Sequence, residues 1–571
     1  MLSLSTRRIG YLRCCYGLCR NRSHRSVPPG QQGGFGLRDI LLRLPDKTLQ
    51  RAGRRAGRRL KIGPAPRWRR HPGVHVMSDI PLLPAVVEFL ARPHGHFIEG
   101  RYQAGEAGPS VDIHDPSSGA VISRVAEASA AEVARAVRSA RQAFKGSWAE
   151  VSPYQKGVVL NRLADLIEAN AEELAQLETL CSGKSINLSR GLEIAQSVVF
   201  LRYFAGWASK ITGQTMTPSL PSFGGERYTA FTLREPVGVV AGIVPWNFSV
   251  MIGIWKIASA LVTGCTIVVK PSEFTPLTLL RIAELAVEAG VPAGAFNVVN
   301  GRGQAGQMLI EHPEVAKVAF TGSVPTGIAV GKAAMAANLT RATLELGGKN
   351  AAALLADVDV DGAVAGIVQT AYVHQGQVCA SPERLYVHRS RVDEFTGKLA
   401  AALGQLKIGS ALDPDAQFGP LANATHLQKI LGFFERAHAS NTVVCGAKAV
   451  ERPGYFVEPT VVLANDARDP LLHEETFGPI VCILPFDDEA QLLEMMNDSP
   501  YGLTASLWTN DLSKALRLIP QIEAGTVWVN MHTFLDPAVP FGGTKASGVG
   551  REFGSAFIED YTELKSVMIR Y

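Results

Sequence analysis

The chain has 571 residues, 46% hydrophobic and 19% charged, which argues against a disordered chain and leaves room for two or three domains. Its formal net charge of +5 belongs to no single part. Residues 1–76 hold 18 Lys and Arg against 2 Asp and Glu, which leaves 39 against 50 for residues 77–571; an acidic body of that kind argues against nucleic acid as its partner.

The basic leader builds no apolar period. Arginine pairs such as Arg54-Arg55 and Arg58-Arg59 alternate with Gly and Ala, and Pro28, Pro29, Pro64, Pro66 and Pro72 interrupt the rest. Three readings stay open: an Arg-rich, acid-poor organelle presequence, a nucleic-acid-binding arm, or upstream translation outside the working protein. The break in composition at Met77 favours the last, with a cytoplasmic protein as the expectation and organelle targeting as the alternative. Of eight cysteines, Cys14, Cys15 and Cys19 lie in the leader. The others, Cys181, Cys265, Cys379, Cys445 and Cys482, are widely spaced without a CxxC pair, so neither a disulfide framework nor a metal site is expected.

From residue 130 to 177 the apolar residues fall at helical spacing, with Val133, Ala136, Val137, Ala140 and Phe144 on one face and Leu160, Leu163, Leu166 and Ile167 on another. Residues 227–234 turn to strand alternation. Residues 236–269 form an apolar stretch with Lys256 as its only charge. A membrane helix is excluded because Pro245-Trp246-Asn247 and Gly264 break the run. Its pieces predict a strand at 239–244, a helix at 249–262 and a strand at 266–269, a β-α-β unit whose parallel strands are buried on both faces. Helix 277–289, strand 295–299, helix 304–311, strand 315–320 and helix 326–337 follow. Such alternation predicts an open α/β sheet with a nucleotide site at its strand carboxyl ends. From residue 343 a second α/β region is expected, with strands 384–387, 457–462, 480–485 and 526–529, helices 392–403 and 426–438, and a strand-like tail at 564–571.

Several segments could carry chemistry. Gly301-Arg302-Gly303-Gln304-Ala305-Gly306 matches GxGxxG between a strand and a helix, and Phe320-Thr321-Gly322-Ser323 is a second loop of that kind. Lys270 and Glu273 end another strand, either as a surface ion pair, the reading the residues alone favour, or where a ribose would lie and a carboxylate would repel a 2′-phosphate. Cys379 follows a Gly turn and is a thiol nucleophile if local charge or a base activates it, or else a buried structural cysteine. Glu345 precedes a glycine pair, as a structural ion-pair partner or a general base. Asn247 is either a turn residue or a donor to a developing oxyanion.

Taken together, Pro245-Trp246-Asn247-Phe248, Val269-Lys270-Pro271-Ser272-Glu273, Phe320 to Ser323, Leu344-Glu345-Leu346-Gly347-Gly348, Gly376-Gln377-Val378-Cys379, Glu474 to Pro479 and Pro540-Phe541-Gly542-Gly543 resemble the aldehyde dehydrogenase superfamily over residues 95–571. The resemblance implies a Rossmann-like NAD-binding domain (77–217 and 237–345), a catalytic α/β domain (346–546), and β segments for oligomerisation (218–236 and 547–571). It implies Cys379 as nucleophile, Asn247 as oxyanion donor, Glu345 as base for thioester hydrolysis, and Lys256 near the thiol and its water path. NAD would be held by Trp246, Lys270, Glu273, Gly303, Gly306, Thr321, Gly322, Ser323, Leu346, Glu475 and Phe477. Only Gln304 and Ala305 separate the last two glycines of the first loop, one residue fewer than the family pattern, so its phosphate contacts are in question. Glu345 favours release of a free acid over acyl transfer to coenzyme A. The pocket is expected from Phe248, Met251, Trp255, Val373, Phe534, Leu535 and Phe541, apolar and without an arginine for a distal carboxylate. An uncharged aldehyde is the expected substrate, aromatic or of medium length, and residues 529–543 are similar to phenylacetaldehyde dehydrogenases. Betaine aldehyde, a semialdehyde, or NADP in place of NAD are the alternatives. A homodimer or homotetramer is implied, with no membrane contact.

Overall fold

The computed structural model describes residues 81–106, 108–220 and 224–571; the readings of 1–76 and of Met77 lie outside them. Two large sheets organise the described chain. The first has eight strands in the spatial order Arg101–Gln103, His96–Ile98, Phe296–Val298, Thr266–Lys270, Val239–Ile243, Val315–Thr321, Arg341–Glu345 and Gly548–Val549. Its five central strands are parallel, and antiparallel strands close both edges. The chain lays down three of the five outward from Val239–Ile243, then returns to place Val315–Thr321 on that strand's other side. Order reverses between those two strands, so their carboxyl ends splay apart and open a crevice.

The helix Ser249–Thr263 has every residue buried, which accounts for the apolar run in the sequence. Gly264 ends it in the left-handed conformation at φ +95°, which glycine adopts without a Cβ penalty. Observed boundaries fall within about two residues of the expected ones for most elements, as capping physics explains. Helix Val324–Asn338 starts two residues before its expected position because Ser323 caps it and Pro325 occupies its first turn. Helix Ala424–Ser440 likewise begins early, capped by Asn423. The strand expected from 457 begins only at Thr460. Val457 makes an isolated bridge to Ala449 instead.

The second sheet has seven strands in the order Thr442–Cys445, Thr460–Leu463, Ile480–Phe486, Pro382–His388, Asn350–Leu354, Thr504–Trp508 and Thr526–Val529, parallel except at the first edge. Four residues, 346–349, link the carboxyl end of Arg341–Glu345 to the amino end of Asn350–Leu354. The carboxyl ends of one sheet therefore meet the amino ends of the other. In a smaller antiparallel sheet Tyr228–Pro236 is the middle strand, paired over nine residues with the tail Thr562–Arg570 on one side and with Thr215–Met216 on the other. The tail thus pairs within its own chain, and Leu564, Met568, Ile569 and Leu233 remain exposed on it. No helix among the described residues is long and apolar enough to cross a membrane.

Candidate active site

The thiol of Cys379 sits on a turn held in an uncommon shape. His374, Gln375 and Gly376 have φ of +47°, +56° and +71° in succession. Two non-glycine residues in that region cost on the order of 1–3 kcal/mol each and persist only where surroundings over-determine them. Here they do. A Cβ at Gly376 would collide with the Gly478 carbonyl. The Gln377 side chain donates to His374 O (2.9 Å) and accepts from Ala422 N (3.0 Å). Asn247 Nδ2 donates to Gln377 O at 2.9 Å. Asn350 Nδ2 donates to Cys379 O (2.6 Å) and Ser381 O (2.8 Å), while its Oδ1 accepts from Thr504 N (3.0 Å). His532 meets the Ala380 carbonyl at 2.9 Å.

Glu345 ends the strand Arg341–Glu345. It is buried, and neither carboxylate oxygen has a hydrogen-bond partner among the described residues. Burial, reinforced by Glu552, holds its carboxyl well above the usual range, against opposing Lys256 and Arg551. Gly542 leaves it room, since a Cβ there would lie 2.7 Å from Glu345 Oε1. Lys256, the lone charge of the apolar run, is buried and bound to Glu552 at 2.7 Å. The Cys379 thiol is pushed up to about 12 by burial, then by Glu345 and Glu475. Such a thiol is mostly protonated at neutral pH, so its attack follows loss of that proton.

A cavity of about 180 Å³ opens between the strand ends, and Trp246, Asn247, Thr321, Gly322, Ser323, Leu346, Cys379, Glu475 and Phe477 line it. All nine were expected at the site. Thr321 Oγ1 is buried without a partner among the described residues, and Ser323 heads the fifteen-residue helix Val324–Asn338. A helix start and a free hydroxyl are a donor set suited to a pyrophosphate. On the facing wall Glu475 Oε1 accepts from Gly348 N at 3.0 Å, and a Cβ at Gly347 would collide with the Glu475 carboxylate. Burial, then Glu383, raises the Glu475 carboxyl to about 7, against the Gly348 N–H. His426 and Lys429 also line the cavity, and sequence reasoning missed both. They lie three residues apart on the helix Ala424–Ser440, whose apolar period gave a helix and nothing more.

Lys270, Glu273, Gly303 and Gly306 lie apart from that cavity's lining. Lys270 is buried, with Nζ 3.5 Å from Glu273 Oε2, and burial lowers its ammonium from the usual range. Gly306 faces it, since a Cβ there would lie 3.9 Å from Lys270 Cδ. The shortened glycine loop is tied down by Glu127, which accepts from Arg302 N at 3.2 Å and pairs with the Arg302 guanidinium.

Phe248, Met251, Trp255 and Phe541 are buried in one apolar core, with Val373 and Leu535 packed against it. Phe534 is 61% exposed, so its ring stands outside that core. Phe200 and Phe553, not expected from the sequence, complete the aromatic cluster. Trp255 lies 4.6 Å from the Phe553 ring centroid and 5.4 Å from that of Phe200. Arg551 is the nearby guanidinium, and its Nη1 donates to the carbonyls of Gly543 (2.8 Å) and Gly550 (2.7 Å).

Comparison with known proteins identifies the family. Residues 102–567 match the model of the aldehyde dehydrogenase family. The chain is 44% identical to a phenylacetaldehyde dehydrogenase of Pseudomonas fluorescens, over 86% of this chain and 98% of that one. It is 39% identical to a betaine aldehyde dehydrogenase of Cereibacter sphaeroides, over 83% and 96%. A solved NAD+ complex of an aldehyde dehydrogenase from Bacillus cereus superposes with a TM-score of 0.83 at 38% identity, covering 86% of this chain and 99% of that one.

Proposed function

The chain belongs to the aldehyde dehydrogenase family, and we propose that it oxidises an uncharged aldehyde, aromatic or of medium chain length, to the free carboxylic acid through a thioester on Cys379. NAD+ is the cofactor, as in the Bacillus cereus neighbour. The observation that carries this reading is the meeting of Cys379, Asn247 and the Glu475–Phe477 wall around one cavity that opens at the strand ends of the first sheet.

Each residue's part follows from its surroundings. Cys379 loses its proton to solvent in the open cavity, and Sγ then bonds to the aldehyde carbon as the carbonyl pair moves to oxygen, giving a thiohemiacetal whose oxygen carries the developing charge. Asn247 Nδ2 has two hydrogens, one committed to Gln377 O. The other, with the Cys379 backbone N–H, is available to that oxygen. Losing one such donor costs about 10²–10³ in rate. NAD+, when bound, supplies the acceptor for the hydride. Thr321, Gly322, Ser323, Trp246 and Leu346 hold its pyrophosphate side, Glu475 and Phe477 its nicotinamide end. Lys270 and Glu273, beside Gly303 and Gly306, take the adenosine ribose, and the Glu273 carboxylate disfavours the 2′-phosphate of NADP. Glu345, whose basicity burial and Glu552 have raised, takes a proton from the water that hydrolyses the thioester. Lys256 steadies Glu552 in that role.

The aromatic core around Trp255 supports an arylalkyl side chain. A semialdehyde is disfavoured because Phe248, Met251, Trp255 and Phe541 offer no cation to a distal carboxylate, and Arg551 Nη1 is engaged by two backbone carbonyls. We assign 77–217 with 237–345 to cofactor binding and 346–546 to catalysis. The small sheet of 218–236 and 547–571 is assigned to subunit contact in a dimer or tetramer, which its exposed apolar residues support. Steady-state NADH formation from phenylacetaldehyde, hexanal and betaine aldehyde tests the reading, with Cys379→Ala as control. A clear preference for betaine aldehyde would remove the arylalkyl assignment, and unchanged turnover by Cys379→Ala would remove the mechanism.

A further inference from the structure

One buried carboxylate outside the cavity lining holds more of the site than its place in the sequence suggests. Glu383 is the second residue of the strand Pro382–His388, two residues after Ser381. It is 2% exposed, and its counter-ion Lys349 is 1% exposed, with Lys349 Nζ 2.5 Å from Glu383 Oε2. A structural ion pair would need nothing further. Yet both oxygens also accept backbone donors from one distant turn. Thr476 N reaches Oε2 at 2.9 Å and Phe477 N reaches Oε1 at 2.8 Å.

That turn is strained. Phe477 has φ +56°, a conformation that a side chain of its size rarely adopts without external support. Two charge-assisted hydrogen bonds to consecutive N–H groups provide such support. The turn is also tied by two residues of the cavity lining. His426 Nε2 meets Phe477 O at 2.7 Å, and Lys429 Nζ donates to Glu475 O at 3.1 Å. Glu383 is thus its anchor from behind.

We propose that Glu383, with Lys349 as its counter-ion, is the positioning residue for the nicotinamide end of the cofactor site, acting through Glu475 and Phe477. This rests on the reading that those two residues meet NAD+. Glu383 touches neither cofactor nor aldehyde, so its removal loosens cofactor binding and leaves the thiol chemistry intact.

The test separates the two functions by using an activated aryl ester. Ester cleavage acylates Cys379 directly and needs Asn247 and Glu345, but no hydride acceptor. Glu383→Gln keeps one acceptor oxygen, loses the charge, and leaves Lys349 buried without a counter-ion. The double variant Glu383→Gln with Lys349→Met removes that stray charge, so it keeps the question open to an answer if the single variant folds poorly. NAD+ affinity is measured by calorimetry alongside the KM for NAD+. Losing a charged acceptor predicts a rise of about tenfold or more in both, with aldehyde KM and ester hydrolysis within about twofold of the parent. Unchanged NAD+ affinity in the double variant would overturn the proposal. So would ester hydrolysis falling in step with NAD+ affinity in both variants, since that marks a merely structural residue. Cys379→Ala runs alongside: if it retains ester hydrolysis, the parent mechanism fails, whatever Glu383 does to NAD+ affinity.

Discussion

The side-chain amide of Asn350 donates to the backbone carbonyl of Cys379 at 2.6 Å. Asn350 opens the strand beside the central one of the second sheet, and the same Nδ2 also holds Ser381 O. The nucleophile's backbone is thereby fixed to a fully buried strand. Asn350→Ala should lower kcat by about 10²-fold, the scale set by a misplacement of roughly 1 Å, and leave the KM for NAD+ within about twofold. Pre-steady-state NADH formation checks this. A variant with full kcat would show that the carbonyl contact does not position the thiol.

Glu345→Gln should divide the reaction at the thioester. Thiol attack and hydride loss do not need its water-activating role, whereas hydrolysis does. The expected result is a burst of about one NADH per site, then a steady rate lowered by about 10²–10⁴. Rapid-mixing absorbance reads both phases. Loss of the burst along with the steady rate would place Glu345 earlier in the mechanism.

The thiol's pH dependence follows from its surroundings. Burial, Glu345 and Glu475 all raise it, to about 12. In the cofactor-free protein, alkylation of Cys379 by iodoacetamide should therefore be slow at pH 7 and still climbing at pH 10, because the rate follows the thiolate fraction. Removing the Glu345 charge should move the profile toward lower pH, so Glu345→Gln alkylates faster at pH 9. Mass spectrometry of the Cys379 peptide measures it, and a plateau near pH 8 in the parent would contradict the expectation.

Lys184 predicts a stability effect. It is fully buried between Glu178 and Glu193, and its Nζ lies 4.3 Å from the Phe248 ring centroid. Glu193 Oε1 in turn accepts the first N–H groups of the helix Ser249–Thr263, from Val250 (2.9 Å) and Met251 (3.1 Å). Lys184→Met leaves two buried carboxylates without their cation and should cost about 3–5 kcal/mol. Urea denaturation gives the value. A loss below about 1 kcal/mol would mean that the pair is no stronger than a surface salt bridge.

What the sequence made legible was local. The strand-helix alternation from 239 to 337 rests on periodicity and on breakers such as Pro245 and Gly264, and the structure follows it closely. The cavity residues Trp246, Asn247, Thr321 to Ser323 and Cys379 were reachable because each sits on a short motif at a strand end or Gly turn. What stayed hidden was built across distance. Lys256 finds Glu552 across 296 residues, and Lys349 finds Glu383 from the next strand of a sheet. For Lys349 nothing in the local pattern distinguishes a buried charge from a solvated one, and for Lys256 the apolar run marks burial but not the partner. The short strands His96–Ile98 and Arg101–Gln103 were missed because three residues give no period to read. Phe534 was expected in the pocket for its aromatic ring, yet exposure depends on the loop's path.

The central claim is that the aldehyde becomes an acyl thioester on Cys379. Glu345→Gln, mixed with NAD+ and phenylacetaldehyde, quenched in acid and digested, should carry one phenylacetyl group on the Cys379 peptide, in amounts matching the NADH burst. NADH formation with that peptide unmodified, or with the acyl group on another residue, would contradict the account.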